Sequence, residues 1–133
     1  LEDAGIKRFM RSRCGVNHVT VIFRKSELLR AGNYQPGFVQ EDFFLWARMI
    51  EAGCKFQNIP DIVVNVRSGA DQFARRGGIR YIKDVYRFNH WMHRHHLISL
   101  SRMLYNDAVR TSVQYLSPNW LRTFIYQHLL RKH

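Results

Sequence analysis

Three groups of residues in this 133-residue sequence have side chains and spacings suited to chemistry. The first is Glu41-Asp42, two adjacent carboxylates directly before Phe43-Phe44-Leu45-Trp46. Acidic residues at the start of a helix are favoured by its dipole, so N-terminal capping is the ordinary explanation. The sharper one is a general base held by the helix start at the mouth of a cleft. The second group is Arg75-Arg76 before Gly77-Gly78, two cations beside a flexible point, suited to an anionic group or to a solvated basic loop. The third is His90-x-x-His93-x-His95-His96. On a helix His90 and His93 share a side, as do His93 and His96, so chelation is geometrically possible. With Arg94 among them and no Cys or carboxylate to complete a site, a basic face is the better reading, and no metal ligand is assigned. Cys14 and Cys54 are too few for a four-cysteine zinc site and read as reduced thiols of a reducing compartment.

The elements that must hold these groups follow from pattern. Residues 1–13 read as a short basic helix with Ile6, Phe9 and Met10 as its apolar stripe, broken by Cys14-Gly15. Val16 to Phe23 is rich in β-branched residues and predicts a strand. Ser26 opens a helix through Leu28, Leu29 and Ala31 that Gly32-Asn33 ends. Pro36-Gly37 marks a turn delivering the chain to Glu41-Asp42. From there Leu45, Met49 and the aromatics fall at helical spacing, predicting an amphipathic helix with Gly53 at a left-handed C-cap. Phe56 to Ile59 and Ile62 to Arg67 predict two more strands around Pro60-Asp61. Residues 68–78 are polar. Helices are predicted over roughly 79–96, 99–116 and 118–131, the last opened by Ser117-Pro118. The division is therefore a mixed α/β region, 1–78, and a basic helical region, 79–133.

Composition narrows the class. Apolar residues make up 46% and aromatics 14%, enough for a packed core and against general disorder. No run of apolar residues is long enough for a membrane-spanning helix. The chain opens Leu1-Glu2-Asp3, which is no signal peptide and has no initiator Met, so a portion of a longer protein is expected. The net charge of +11 is uneven, +4 over residues 1–78 and +7 over 79–133, where six of the seven histidines also lie. Such a surface suits polyanions: nucleic acid, an anionic membrane face or diphosphate-bearing substrates. A basic nucleic-acid-binding module is thus one reading, but no zinc-finger spacing, RNA-recognition signature or recognition helix supports it.

Several segments in order carry a resemblance. Asn17-His18-Val19-Thr20-Val21-Ile22-Phe23-Arg24-Lys25-Ser26, Ala31-Gly32-Asn33-Tyr34, Glu41-Asp42-Phe43-Phe44-Leu45-Trp46, Asn58-Ile59-Pro60, Val64-Asn65-Val66-Arg67 and Arg75-Arg76-Gly77-Gly78 resemble the second half of bacterial family-2 glycosyltransferases of capsule and O-antigen polysaccharide biosynthesis. The likeness runs from about Ile6 to Tyr81, and more loosely beyond. Cys14-Gly15-Val16 stands where that family commonly has Asn-Pro-aromatic, and Val19 where it often has Pro.

The resemblance implies an α/β fold, the C-terminal portion of a GT-A type domain followed by a helical basic tail. It implies inverting transfer from a nucleotide-sugar donor, expected to be a UDP-sugar, to a saccharide or lipid-linked acceptor. Asp42 is then the catalytic base. Glu41, His18, Trp46, Arg75 and Arg76 are the expected substrate-binding residues, the arginines on the diphosphate and the Trp46 ring on a sugar face unless it belongs to the core. A divalent metal, Mg or Mn, is expected of the whole enzyme, but no Asp-x-Asp motif occurs in this chain. The isolated chain is expected to lack transfer activity, to expose an unpaired sheet edge or apolar face, and to self-associate. A cytoplasmic location is expected, peripheral to the inner membrane face, with the basic helices on anionic lipid.

Overall fold

The helix that opens with Glu41-Asp42 is the centre of the molecule. In the computed structural model, which describes residues 1–38, 40–65 and 79–116 (side chains as far as Ser112), it spans Glu41–Glu51 and every residue from Phe43 to Met49 is buried. Between Phe43 and Ile50 the only polar side chain is Arg48, so the helix is apolar on nearly all sides and takes the position such a helix must take, inside. The expectation of a one-sided amphipathic helix is corrected accordingly.

Among the described residues four further α-helices enclose it: α1 (Asp3–Met10), α2 (Lys25–Arg30), then, with the central helix as α3, α4 (Ile79–Arg94) and α5 (Leu100–Leu116). One apolar cluster draws on both sides of residue 78. It joins Ile6 and Met10 of α1, Phe43 to Met49 of α3, Phe88 and Met92 of α4, Ile98, and Met103 of α5. Phe88 packs against Phe43 and Phe44 with ring centroids 4.5 and 6.3 Å away. Polar anchors fix the outer helices. Asn106 Nδ2 donates to Arg11 O at 2.8 Å, seating α5 on the end of α1, and Asn89 Nδ2 donates to Asp107 Oδ1 at 2.6 Å between α4 and α5.

Three helices stop in the same way. After α2, Gly32 N–H bonds Leu29 O and Asn33 N–H bonds Leu28 O; after α3, Gly53 bonds Ile50 O and Cys54 bonds Met49 O; after α4, His96 bonds His93 O and Leu97 bonds Met92 O. Each is a Schellman closure that satisfies otherwise unpaired carbonyls. The left-handed position falls on Gly32 (φ 83°), Gly53 (φ 78°) and His96 (φ 56°). Gly32 and Gly53 are the stops expected from sequence. The left-handed His96 was not, because histidine pays for that conformation where glycine does not.

The strand expectations are corrected. Among the described residues there is no strand at all: Val16 to Phe23 contains a 3-10 turn, His18–Thr20, and Phe56 to Ile59 and Ile62 onward are irregular. The β-branched side chains do hold the backbone extended where they can, as at Val21 (φ −89°, ψ 140°). A strand, however, exists only as a hydrogen-bonded ladder, and among the described residues one backbone bond, from Asn58 N–H to Leu1 O at 2.9 Å, joins these segments to another part of the chain. The described structure is therefore helical rather than α/β. Its unpaired extended segments leave Ile22 94% and Ile62 90% exposed, with Val63, Ile59 and Val19 above 60%. Val66 and Arg67 at the end of the third expected strand, and the helix expected over 118–131, lie outside the described residues.

Candidate active site

Asp42 sits in the first turn of α3, and one of its oxygens, Oδ1, accepts the N–H of Phe43 at 2.8 Å. That bond satisfies one of the amides a helix start leaves open. Gln40, at the N-cap position, contributes no side-chain cap; its amide instead donates to Tyr81 Oη at 2.7 Å. Among the described residues no donor is bonded to the second oxygen of Asp42. The carboxylate is half-buried, oriented by the backbone and still able to accept a proton, while Glu41 beside it is exposed.

Above this turn lies Tyr34. Its phenol is held above its ordinary range, first by burial and then by the negative charges of Asp42 and Glu41, which places both acids close enough to act on it. The proton therefore stays on Tyr34 throughout the neutral range. Tyr34 Oη is 3.0 Å from His18 Nε2, and either can donate, according to the imidazole tautomer. His18 in turn meets the edge of the Trp46 indole, with ring centroids 6.3 Å apart at 75°, and Phe23 closes the far side of the indole at 5.9 Å. Asp42 and Trp46 are one helical turn apart. The result is a surface of exposed His18, Tyr34 and Glu41 with half-buried Asp42 on a buried aromatic floor.

Trp46 is that floor and not a platform. It has 0% exposure, so no sugar ring can reach its face in this structure, and the core alternative describes it. Its Nε1 is buried with no hydrogen-bond partner.

Tyr34 is placed by Arg48, a residue that sequence reasoning passed over. The guanidinium is buried, donates to Ala31 O at 2.8 Å and to Asn33 O at 2.7 Å, and lies 4.6 Å over the Phe44 ring. Burial draws its pKa below the usual arginine range. It thus ties the end of α2, where a cation is favourable, to the centre of α3. Asn33, in the left-handed conformation (φ 57°), turns its Oδ1 back to accept Tyr34 N–H at 2.8 Å. The signal for Arg48 was its isolation as the lone charge in an apolar run. Tyr34 directly follows the Gly32-Asn33 stop, so its position one step beyond a fixed corner could have been noticed.

The other candidates are not gathered here. Arg75 and Arg76 lie outside the described residues. The histidines of α4 face different partners: His90 towards Asp107 (3.9 Å), His93 Nδ1 to Ile98 O (3.2 Å), His95 Nδ1 to Glu51 Oε1 (2.5 Å) with its ring stacked on Trp91. Nowhere among the described residues do three His, Cys, Asp or Glu side chains converge on a point that could hold a metal. The divalent metal is an expectation for the whole enzyme, not for these residues.

Known proteins give the surface a context. The chain is 31% identical over 127 residues to a UDP-Gal:α-D-GlcNAc-diphosphoundecaprenol β-1,3-galactosyltransferase of Escherichia coli, spanning 96% of this chain and 46% of that protein. It is 33% identical over the same length to an uncharacterized glycosyltransferase of Haemophilus influenzae, again covering 46% of it. The amylovoran biosynthesis glycosyltransferase AmsE of Erwinia amylovora is 39% identical over 83 residues, 62% of this chain and 31% of AmsE. This chain matches the C-terminal part of a bacterial glycosyltransferase. It spans about half the length, or less, of the curated relatives it matches. No family model matches it, and no solved structure matches it significantly. The two matches of 127 residues take in the region of His18, Tyr34, Asp42 and Arg48.

Proposed function

We propose that this chain is the acceptor-side portion of an inverting glycosyltransferase and that Asp42 is its catalytic base. The observation that carries the reading is the carboxylate of Asp42, anchored through Oδ1 by a backbone amide and open at its second oxygen, beside Tyr34 and His18. An acceptor hydroxyl set there gives its proton to that oxygen as its own oxygen bonds the anomeric carbon. On the opposite face the bond to the nucleoside diphosphate breaks, and the leaving group carries away the electron pair. Attack from one side and departure from the other invert the anomeric centre.

The neighbouring residues orient. The protonated Tyr34 phenol and the His18 imidazole offer hydrogen bonds to sugar hydroxyls, and Glu41 offers a second acceptor at the rim. Nucleotide-sugar donors and saccharide or lipid-linked acceptors are the substrate classes suggested by the relatives' names. The exposed apolar residues Ile22, Ile62 and Val63 belong, on this reading, against the remainder of a full-length transferase, and self-association of the chain alone follows from the same surface.

The test is transfer by the protein at its relatives' length, wild type beside Asp42→Asn, against a panel of nucleotide sugars. The isosteric amide keeps the Oδ1 bond but takes no proton, so kcat falls by about 10²–10⁴-fold with donor binding unchanged. A variant that retains its rate reduces Asp42 to a helix cap and removes the mechanism.

The second part of the proposal concerns place. No helix among the described residues is long and apolar enough to cross a membrane. Helix α5 nevertheless turns Leu100, Leu104, Tyr105 and Val109 outward, with Arg102 over the Tyr105 ring at 5.5 Å. That combination suits contact with an anionic membrane surface. Sedimentation with anionic vesicles that survives Leu104→Asp unchanged would remove it.

A further inference from the structure

One basic feature draws on residues that the sequence reading did not single out. Between the turn at Gly37-Phe38 and the first turns of α4 lies an open recess of about 200 Å³, lined by Gly37, Phe38, Arg80, Asp84 and Arg87. Positions 80, 84 and 87 follow at i, i+4 and i+7, so α4 presents all three to the same side.

Arg87 is the fixed member. Its Nη1 donates to Gly37 O at 3.0 Å and to Asp84 Oδ1 at 3.3 Å, and the guanidinium stands 4.8 Å over the Phe38 ring. Both bonds leave from one nitrogen. A guanidinium carries five N–H donors, so Nε and Nη2 remain unbonded among the described residues. Arg80 is exposed and bonded to no other described residue. Two guanidinium groups against one carboxylate give the recess a net positive charge. Gly37 (φ 106°) has no described residue within 4 Å of where a Cβ would stand, so among the described residues the backbone leaves this side of the recess open.

We infer that this recess is a binding site for a phosphate-bearing group, with Arg87 as the preset fork and Arg80 as the arm that closes on the ligand. Forked guanidinium donors match phosphate oxygens in pairs, and a volume of this size takes a diphosphate, where a single carboxylate would leave most of it unfilled. The turn that walls the recess runs through Gln40 into Glu41-Asp42. On the proposed reading, a diphosphate held there belongs to a molecule whose reacting end lies at Asp42. The identity of that molecule rests on the glycosyltransferase reading; the anion site itself does not.

The experiment is a titration of the protein with inorganic pyrophosphate, followed by amide chemical shifts, for wild type, Arg80→Gln and Lys83→Gln. Lys83 is exposed on the same helix but does not line the recess, so it controls for general loss of charge. Arg80 is exposed and makes no bond to another described residue, so its replacement is expected to leave the fold intact. Wild type is expected to saturate, with shifts at Gly37 and Arg87; Arg80→Gln weakens binding about tenfold and Lys83→Gln less than about twofold. Absence of saturable binding, or equal weakening by both substitutions, overturns the site. Replacing pyrophosphate by free UDP, or by a prenyl diphosphate carried in neutral vesicles, separates a donor source from an acceptor source. Asp42→Asn must bind pyrophosphate as wild type does. Pyrophosphate binding in a protein that transfers no sugar would keep the site and remove only the glycosyltransferase reading.

Discussion

Replacing Arg48 by Met separates the scaffold of this site from its chemistry. The methionine fills much of the same volume over Phe44 but cannot donate to Ala31 O or Asn33 O, now bonded at 2.8 and 2.7 Å. Hydrogen bonds from a charged donor are worth about 1.5–3 kcal/mol each, so two would give roughly 3–6 kcal/mol. Against this stands relief from keeping a cation out of water, the same burial that lowers the Arg48 pKa. Its Nε, buried without a partner, adds to what the native protein gives up. The net expectation is a loss of about 2–4 kcal/mol, because the two carbonyls remain in place and only partly regain water.

In urea that loss moves the unfolding midpoint down by about 1–2 M with an unchanged slope. Arg48→Lys should fall between, since one ammonium reaches one carbonyl well and two poorly. Tyr34 follows directly after the released corner, so in the full-length protein the same variant is expected to lose activity even at temperatures where it is folded. The effect should fall on substrate binding and turnover together, because a misplaced phenol disturbs orientation and not proton transfer. A midpoint equal to wild type would mean that the Schellman closure alone holds the corner. The argument that Arg48 positions Tyr34 would then be wrong.

Two further perturbations follow from the same geometry. Gly32→Ala and Gly53→Ala both place a side chain at left-handed φ, costing about 1 kcal/mol each. At Gly32 the new Cβ would also stand 3.1 Å from Arg48 Nη1, whereas at Gly53 no described residue lies within 4 Å. Gly32→Ala should therefore be the more destabilising of the two in urea, and equal losses would refute the close approach. Asp3 supplies a pH dependence. A hydrogen bond from Lys7, then one from the Phe56 amide, hold its carboxyl below the ordinary value of 3.8. A group depressed in the folded state stabilises above its unfolded pKa and loses that contribution as pH falls through the folded one. The stability difference between wild type and Asp3→Asn should accordingly shrink below about pH 4, and a difference independent of pH would exclude the ion pair and the Phe56 contact as its source.

How far the sequence could be read depended on whether a signal was local. Helix stops are local: Gly32-Asn33 and Gly53 needed only their own backbone preferences, and both end helices as expected. Apolar runs are local too, but their meaning is not. Phe43 to Met49 looked one-sided because Glu41, Asp42 and Glu51 are polar, while burial on all sides depended on where α1, α4 and α5 come to rest. The β-branched run Val16 to Phe23 is extended only in part, as at Val21 after the 3-10 turn His18–Thr20; a strand is a property of two segments, and among the described residues nothing forms a ladder with this one. The site divides along the same line. Asp42 and His18 could be named from a resemblance in order, but Arg48 reaches Asn33 across 15 residues and His18 meets Tyr34 across 16, and neither distance leaves any periodic trace. What the fold adds to the motif is the means by which it is held: a buried cation fixes a corner, the corner carries a phenol, and the phenol stands over the two acids at the start of the central helix. The acids alone would cap that helix equally well in any protein. On the proposed reading, what lets them act as more than a cap is Tyr34 and His18 beside them and the oxygen of Asp42 to which no described residue is bonded.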